Sequence, residues 1–382
     1  MKVTQIHELL NTVTSEVLGS ESIVNEDLTN LVDVGTEIIN ADKVDNFVNK
    51  LVHHIGKVEF NNDKYTGKAK NVLMDSWEFG AILQKIDAEL PEAVENDTWN
   101  LVDGQSYDPN IFYQPKVSSQ FFDSKVTFEI PVSFAEKQVK GSFSNAEQMN
   151  GFLSMLINQV DTSFTIKLDE LIMRTINNYI GSVISKKDVN TSVNLLKAYN
   201  TARGKTLTAD KCLTDAEFLR YANFTINTYI GRITRISKLF NIGKRERFTN
   251  VENTNLVLLN DFVNSSEVFL QADVRHNEFT GLQAFDTVPY WQGSGNSFNF
   301  SDISKIDVKV NDGSSKGTAI TQSGIIGVLF DRKALGVTNF DKRVTTNFNA
   351  KAEFYTNFYK ADSGYFNDFN QNFIVFYVAD EA

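Results

Sequence analysis

The residues that could do chemistry are few, and none stands in a pattern that identifies a reaction. The zinc-protease motif H-E-x-x-H and the redox motif C-x-x-C do not occur. Arg203–Thr206 reads RGKT and is similar to the end of a phosphate-binding loop, but that loop requires glycine where Tyr199 stands. Gly204 is therefore interpreted as a helix end. The turn NDGSSKG around Gly313 has no clear helix after it, so no phosphate site is expected there.

Metal-ligating and nucleophilic side chains are equally sparse. His53 and His54 are adjacent, so in a helix they point about 100° apart and cannot share a metal. The carboxylates around Asp42 lack the glycine of a calcium-binding loop. Cys212 is the single cysteine and is interpreted as a small buried side chain, and His276 as a surface or capping residue. The sequence therefore predicts no catalytic, cofactor-binding or metal-binding residue, and the chain is not expected to be an enzyme.

The charge balance restricts the partners. The chain has 37 Lys and Arg against 48 Asp and Glu, a formal net charge of −11, which argues against a protein whose main task is to grip nucleic acid. It does not argue against a container whose wall touches packed nucleic acid weakly. The basic segment GKRERF at Gly243–Phe248 is interpreted as a solvated turn, with a minor possibility of contact with DNA or a neighbouring subunit. No apolar run approaches the roughly 18–20 residues of a membrane span, so no membrane partner is expected.

The clearest strand is KVTFEIPVSF at Lys125–Phe134, where apolar and polar residues alternate. Such alternation is typical of a half-buried strand, and Pro131 predicts a sheet edge because proline has no N–H for a second neighbour. Residues 72–90 are predicted to be its partner strand or a helix. The irregular stretch 91–115 is too long for a tight turn, and compact domains rarely keep such a loop without a use for it.

The strongest element is a long helix. Ser144 and Glu147 have the spacing of a capping box, and no proline interrupts the chain from there to about Ile184. The spacing predicts an unbroken helix of about 38 residues, well above the usual length of about 11–12. Thr162 and Asn177 interrupt any regular coiled-coil seam. The apolar positions recur at three and four residues: Leu153, Leu156, Val160, Phe164, Leu168, Leu171, Ile172, Ile176, Tyr179, Ile180 and Val183.

The remainder of the chain mixes helices and strands. Helices are predicted at 191–203 and from a second capping box, Thr214–Glu217, through Phe240, followed by the strand NLVLLN and the helix DFVNSSEVFLQADV. Residues 292–324 are rich in Gly, Ser and Asn with one strand, KIDVKV, and GIIGVLF is a buried strand. Alternation over 344–358 predicts a strand, KADSGYFNDFN a turn and FIVFYV a final buried strand. This order predicts an α+β protein.

In this order of elements the chain resembles the major capsid proteins of tailed bacteriophages, which share the Hong Kong 97 fold. The resemblance is carried by an arm, an extended loop ending in KVTFEIPVSF, the long helix, a helix-and-strand region and the ending GVLFDRKALGV…FIVFYV. It implies an N-terminal arm, an extended β-hairpin loop, a long spine helix, and peripheral and axial domains. The implied segments are an arm at 1–55, the extended loop with peripheral strands at 56–140, the spine helix at 141–186, the axial domain at 187–342 with a strand-rich insertion near 292–324, and closing β-strands at 343–382.

The resemblance also implies a function. Such a subunit self-assembles into pentamers and hexamers of an icosahedral head that encloses double-stranded DNA, which it contacts non-specifically. Scaffolding and portal proteins are further implied partners, and the implied location is the virion, after assembly in the host cytoplasm. Some family members join subunits through a lysine–asparagine bond, but no such pair can be assigned in this sequence.

Two other structural functions remain open at this point. A cellular nanocompartment shell of the same fold would enclose a protein cargo instead of a genome. A ring-forming tail or portal-associated protein would build one closed ring and no shell. An enzyme would have only His276 and dispersed carboxylates to work with. The contents of purified particles and their appearance in electron micrographs would separate these functions.

Overall fold

The computed structural model describes residues 11, 14–15, 72–73, 82–91, 93, 95–110, 112–135, 146–271, 285–292, 302–310, 317–352 and 354–380. In this part of the chain the strands are β1 (Leu83–Ala88), β2 (Val117–Phe122), β3 (Lys125–Ala135), β4 (Ser192–Asn194), β5 (Thr254–Leu259), β6 (Asp286–Val288), β7 (Ile306–Val310), β8 (Thr318–Gln322), β9 (Ile325–Asp331), β10 (Leu335–Asn349), β11 (Phe354–Asn367) and β12 (Phe373–Tyr377). The α-helices are α1 (Ala146–Lys186), α2 (Leu195–Arg203), α3 (Ala216–Ile233) and α4 (Asn260–Gln271). The predicted mixture of helix and sheet is confirmed.

The chain divides into two compact units, each built from separate stretches of sequence. Unit 1 contains Met1–Ser76, Lys125–Arg174 and Val337–Gly364, and unit 2 contains Trp77–Ser124, Thr175–Gly336 and Tyr365–Ala382. The predicted division into five consecutive segments stays a prediction. Most of the predicted arm, including His53, His54 and Asp42, lies outside the described residues, as does His276.

Unit 1 is organised around a three-stranded sheet in the order β10-β11-β3. β3 pairs with β11 in antiparallel register, with Pro131 opposite Phe358. β3 therefore lies at a sheet edge, as Pro131 predicts, because its missing N–H is tolerated where no second strand needs it. The predicted partner was wrong: residues 83–88, within the segment 72–90, form β1 and pair with β2 instead of β3.

One face of this sheet is covered by helix α1. Val160 and Phe164 of the helix form a buried cluster with Tyr359 and Ala361 of β11. The half-buried side chains packed against this cluster are Phe128, Ile130, Val132 and Val344. The alternation that predicted β3 thus has a direct cause, since every second residue of the strand faces the helix.

Helix α1 is unbroken over 41 residues, close to the predicted length. All of the predicted apolar positions from Val160 to Val183 are buried. The side chains of Leu153 and Leu156, and Ser144 of the predicted capping box, lie outside the described part. Since typical helices have about three turns, the stability of this one must come from its buried stripe and not from propensity alone.

Unit 2 is organised around a five-stranded sheet in the order β4-β12-β9-β5-β6. The two edge strands run parallel to their neighbours, and the inner pairs are antiparallel. β9 is buried at every position, which explains the apolar sequence GIIGVLF. The ring of Tyr179 in α1 stacks on Phe373 of β12, with 3.9 Å between centroids, and Phe373 stacks on Phe330 of β9 at 5.5 Å.

The shorter helices of unit 2 begin and end differently from the prediction. Asn194 caps α2 by accepting hydrogen bonds from two backbone N–H groups, so the predicted helix at 191–203 loses its first residues to β4. Gly204 ends α2 in the left-handed conformation, as predicted. The cap of α3 is Asp215, which accepts from the N–H of Phe218, and not Thr214. α3 ends at Ile233, well before the predicted Phe240.

The C-terminal strands also depart from the prediction. The predicted strand over 344–358 is interrupted by a turn after Asn349, and the predicted turn KADSGYFNDFN is mostly part of β11. Its polar residues pair across to β3, where Lys360 contacts Glu129 at 3.2 Å and Thr127 donates to Asp362 at 2.6 Å. The predicted strand KIDVKV is β7, but its partner β8 was missed.

We expect Leu168→Pro to unfold unit 1. Leu168 is buried mid-helix in α1, so proline would remove a backbone donor and clash one turn back, costing about 3 kcal/mol or more. Denaturant titration of the subunit measures the loss. Lys167→Ala is the matched control, because its exposed contact with Glu170 should be worth less than about 0.5 kcal/mol. Equal stability of both variants would contradict a continuous helix through this position.

Two helical glycines should respond to alanine with opposite signs. A Cβ at Gly181 in α1 would lie 2.5 Å from Cγ2 of Val308 in β7, so Gly181→Ala should lower the free energy of unfolding by about 1–3 kcal/mol. A Cβ at Gly231 in α3 meets no atom within 4 Å, so Gly231→Ala should raise it by up to about 1 kcal/mol. Urea midpoints of the two variants test the close packing of β7 on α1. A stabilised Gly181→Ala would show that this packing is absent.

Candidate assembly surface

The most exposed apolar side chains of unit 2 are carried by a hairpin. β1 and β2 pair in antiparallel register from Leu83 opposite Phe122 to Ala88 opposite Val117. Residues 89–116 connect the two strands, and we call the strands with this connection the β1–β2 hairpin. Alternate residues of each strand are half-buried and exposed, so the hairpin has an inner face toward the body of unit 2 and an outer face toward solvent.

Lys85 holds the centre of the inner face. Its ammonium donates to the carbonyl oxygen of Lys333 at 2.7 Å and contacts the carboxylate of Asp368 at 3.1 Å. The same ammonium lies 4.2 Å from the ring centroid of Phe366 and 5.5 Å from that of Phe122. The two rings are in contact, with centroids 5.1 Å apart, so the charge is enclosed by a carboxylate, a carbonyl and two aromatic faces.

This site changes the proton affinity of the lysine. Burial lowers the pKa of the Lys85 ammonium below its ordinary value, and the nearby carboxylates, Asp368 first and then Asp87 and Asp331, oppose that shift. The desolvation of the ammonium therefore has a larger effect on its pKa than the attraction of the nearby carboxylates. The side chain of Asp368 has no exposed surface, so without Lys85 it would be a buried charge with only neutral donors.

Two further ion pairs fix the base of the hairpin. Asp87 contacts Arg247 at 2.8 Å, and Glu89 pairs with Arg245. Both arginines belong to the basic segment GKRERF, which was predicted to be a solvated turn. The segment is partly exposed, as predicted, but it also binds the acidic end of β1, and its Lys244 pairs with Asp188.

The outer face and the connection have the opposite character. Ile86, Val117 and Phe121 are exposed on the outer face of the strands. In the connection Trp99 is 94% exposed, Phe112 84% and Tyr113 81%. Further exposed apolar side chains of the connection are Leu90, Leu101, Val102 and Tyr107. A concentration of exposed apolar side chains in one element of a folded subunit is typical of an interaction site.

The connection is held by local contacts within itself. Asp97–Trp99 form one 3-10 turn, and Thr98 donates to Asn96 at 2.5 Å. Asp108 accepts from the N–H of Asn110 at 2.9 Å. The prediction of an irregular stretch at 91–115 is confirmed, but the sequence did not show that two paired strands carry it.

Cys212 and Lys205 are candidate residues that lie in the described part of the chain. Cys212 is buried, and Lys205 of the RGKT sequence pairs with Glu217. The segment Gly313–Gly317 fits the serine-hydrolase spacing G-x-S-x-G. It connects the antiparallel strands β7 and β8, whereas a nucleophile elbow joins a strand to a helix. Among the described residues no group of three His, Cys, Asp or Glu side chains could hold a metal, and no helix is long and apolar enough to span a membrane.

We expect the thiol of Cys212 to be unreactive in the folded protein. Burial, assisted by Asp380, Asp215 and Asp210, raises the pKa of Cys212 to about 12 from 9.0. Its thiolate fraction at pH 8 should therefore be about 1,000-fold lower than in the unfolded chain. Iodoacetamide labelling at pH 8 with and without denaturant measures the difference. Equal rates in the two conditions would show that this thiol is accessible.

Comparison with known proteins places the chain in a family. The sequence model of the Phi29-like phage major capsid proteins matches residues 10–377. A search of curated protein sequences found no match. Among solved structures, the chain is similar to one in the capsid of Staphylococcus phage Andhra, with a TM-score of 0.51 at 11% identity over 83% of this chain and 86% of that chain. A chain in the capsid of cyanophage P-SCSP1u gives a TM-score of 0.48 at 11% identity over 84% and 92%.

These findings carry different weight. At 11% identity the likeness to the Andhra capsid chain shows the fold alone, and the weaker likeness to the cyanophage chain adds no argument. The family model aligns with nearly the whole sequence, including the β1–β2 hairpin, helix α1 and the C-terminal strands. The chain belongs to the Phi29-like phage major capsid protein family.

Proposed function

We propose that the protein is the major capsid subunit of a phage head, and that it self-assembles into pentamers and hexamers of an icosahedral shell around double-stranded DNA. The observation that carries the proposal is the match of the major capsid protein family to residues 10–377. In this function the chain has a structural role and no enzymatic one. Its location is the virion, after assembly in the host cytoplasm.

The β1–β2 hairpin supplies a surface suited to such assembly. Its aromatic side chains are exposed to water in the single subunit. Burying each of them against a second copy of the chain should contribute about 1.5–3 kcal/mol to the free energy of association. Closed symmetry is how identical subunits bury such surface without open-ended growth. The proposed occupant of the surface is therefore another copy of this chain.

The charge of the chain supports weak contact with the packaged DNA. A formal net charge of −11 gives little attraction to phosphate overall, so the DNA would be touched non-specifically. Scaffolding and portal proteins are further proposed partners of assembly. The family match favours a phage head over a cellular nanocompartment or a closed ring of tail or portal type.

We expect Phe112→Ser to impair shell formation without destabilising the subunit. Phe112 is largely exposed in the free chain, so its loss should change the free energy of unfolding by less than about 0.5 kcal/mol. In an interface, removal of a buried aromatic side chain can cost about 2 kcal/mol or more. The concentration at which shells form should therefore rise by about tenfold or more, as measured by light scattering and negative-stain electron microscopy.

Val189→Ser is the matched control. Val189 is also an exposed apolar residue of unit 2, but it lies outside the β1–β2 hairpin. It should leave both the stability and the assembly threshold close to those of the unmodified protein. Unmodified protein that remains monomeric at high concentration, with its scaffolding partner present, would refute the capsid function altogether.

A further inference from the structure

We propose that Lys85 is the positioning residue of the β1–β2 hairpin: its ammonium, inserted between Asp368 and two aromatic rings, fixes the direction in which the hairpin leaves the body of unit 2. The proposal deepens the assembly function above and rests on it only for its consequence in the shell. The positioning itself concerns the single subunit.

The hairpin needs such a residue because its own pairing is weak. An isolated two-stranded hairpin is at best marginally stable in water, and its outer face and connection are exposed. Its orientation must therefore come from the inner face. There the contacts of Lys85 converge on a single side chain: a carbonyl at 2.7 Å, a carboxylate at 3.1 Å and an aromatic centroid at 4.2 Å.

Of the three ionic contacts, the one made by Lys85 has the most deeply buried carboxylate. The side chain of Asp368 is fully buried, whereas the side chains of Asp87 and Glu89 keep 26% and 43% of their surface exposed. Screening by water weakens the two outer pairs, since exposed ion pairs contribute little. Displacing Lys85 would instead leave a buried carboxylate without its cation, which is strongly unfavourable. Asp87 and Glu89 then act as secondary contacts that limit rotation about this point.

The two aromatic rings next to residue 85 favour a cationic side chain there. The Phe122 ring belongs to β2 and the Phe366 ring to β11, so the ammonium touches the hairpin and the body of unit 2 at once. A methionine at 85 would fill the space between the rings but would leave Asp368 unpaired. The charge, and not the volume, is therefore the feature to be tested.

The experiment compares Lys85→Met with the double variant Lys85→Met/Asp368→Asn in the unassembled full-length subunit. Hydrogen exchange of the amides of β1 and β2 is followed by mass spectrometry. In Lys85→Met the protection of these amides should fall by about 100-fold or more, because the buried carboxylate favours opening. In the double variant, where no charge is left unpaired, it should recover to within about tenfold of the original. Amides of β9 and β5 should exchange at unchanged rates in both.

Further variants complete the test. Lys309→Met removes an exposed strand lysine of the same unit and should leave hairpin exchange unchanged. Asp87→Asn removes an outer pair and should cause a smaller loss of protection, about tenfold or less. Lys85→Met with unmodified hairpin protection would overturn the proposal, as would Asp87→Asn with a larger loss than Lys85→Met. If Lys85→Met is unfolded, Asp368→Asn alone decides: it removes the carboxylate that pairs with Lys85, and unchanged hairpin protection in this variant would overturn the proposal.

Assembly of the same variants separates this inference from the proposed function. If the unmodified protein forms shells, Lys85→Met should form fewer or irregular ones in electron micrographs, and the double variant should regain them in part. If the unmodified protein forms no shells, the proposed function fails, while hydrogen exchange still decides whether Lys85 positions the hairpin.

Discussion

The ion pair between the buried carboxylate of Asp368 and Lys85 is the interaction on which the attachment of the β1–β2 hairpin to unit 2 depends. A charge without exposed surface is tolerated only when several donors surround it. Its oxygens accept from the N–H of Asn370, the amide of Gln371 and the ammonium of Lys85. Its main-chain carbonyl accepts from the hydroxyl of Tyr179 at 2.8 Å. Since these groups come from the hairpin, helix α1 and the turn before β12, one residue joins three elements of the unit.

The hairpin held by this carboxylate combines two opposite surfaces. On its inner face the charged side chains of Lys85 and Asp87 pair within the subunit, and its outer face and connection present large apolar side chains to water. A protein that acted alone would gain nothing from keeping Trp99 or Phe112 exposed. The proposed shell function would use both properties, because in it the hairpin is oriented by its own body and then buried by a neighbouring subunit.

Local patterns predicted the elements whose cause is local. The alternation in KVTFEIPVSF and the edge position of Pro131 are confirmed, as is the long helix with its buried stripe. The failures occurred where a neighbour overrides the local signal. Residues 360–364 read as a turn, yet they form part of β11 because Lys360 and Asp362 pair with β3 and Gly364 leaves room for the ring of Phe340. The helix cap at Asp215 was missed because the adjacent Thr214 also fits a capping pattern.

The sequence by itself determined the class of fold and the position and length of helix α1. Periodicity and proline placement act over a few residues, so they can be seen without a structure. Only the tertiary structure decided that β1 pairs with β2 and that the basic segment GKRERF binds the acidic end of β1. It alone brought Lys85 to Asp368. The positions of charged residues show no periodicity that would identify their partners. Lys85 and Asp368 are 283 residues apart in sequence, so only the folded chain brings them together.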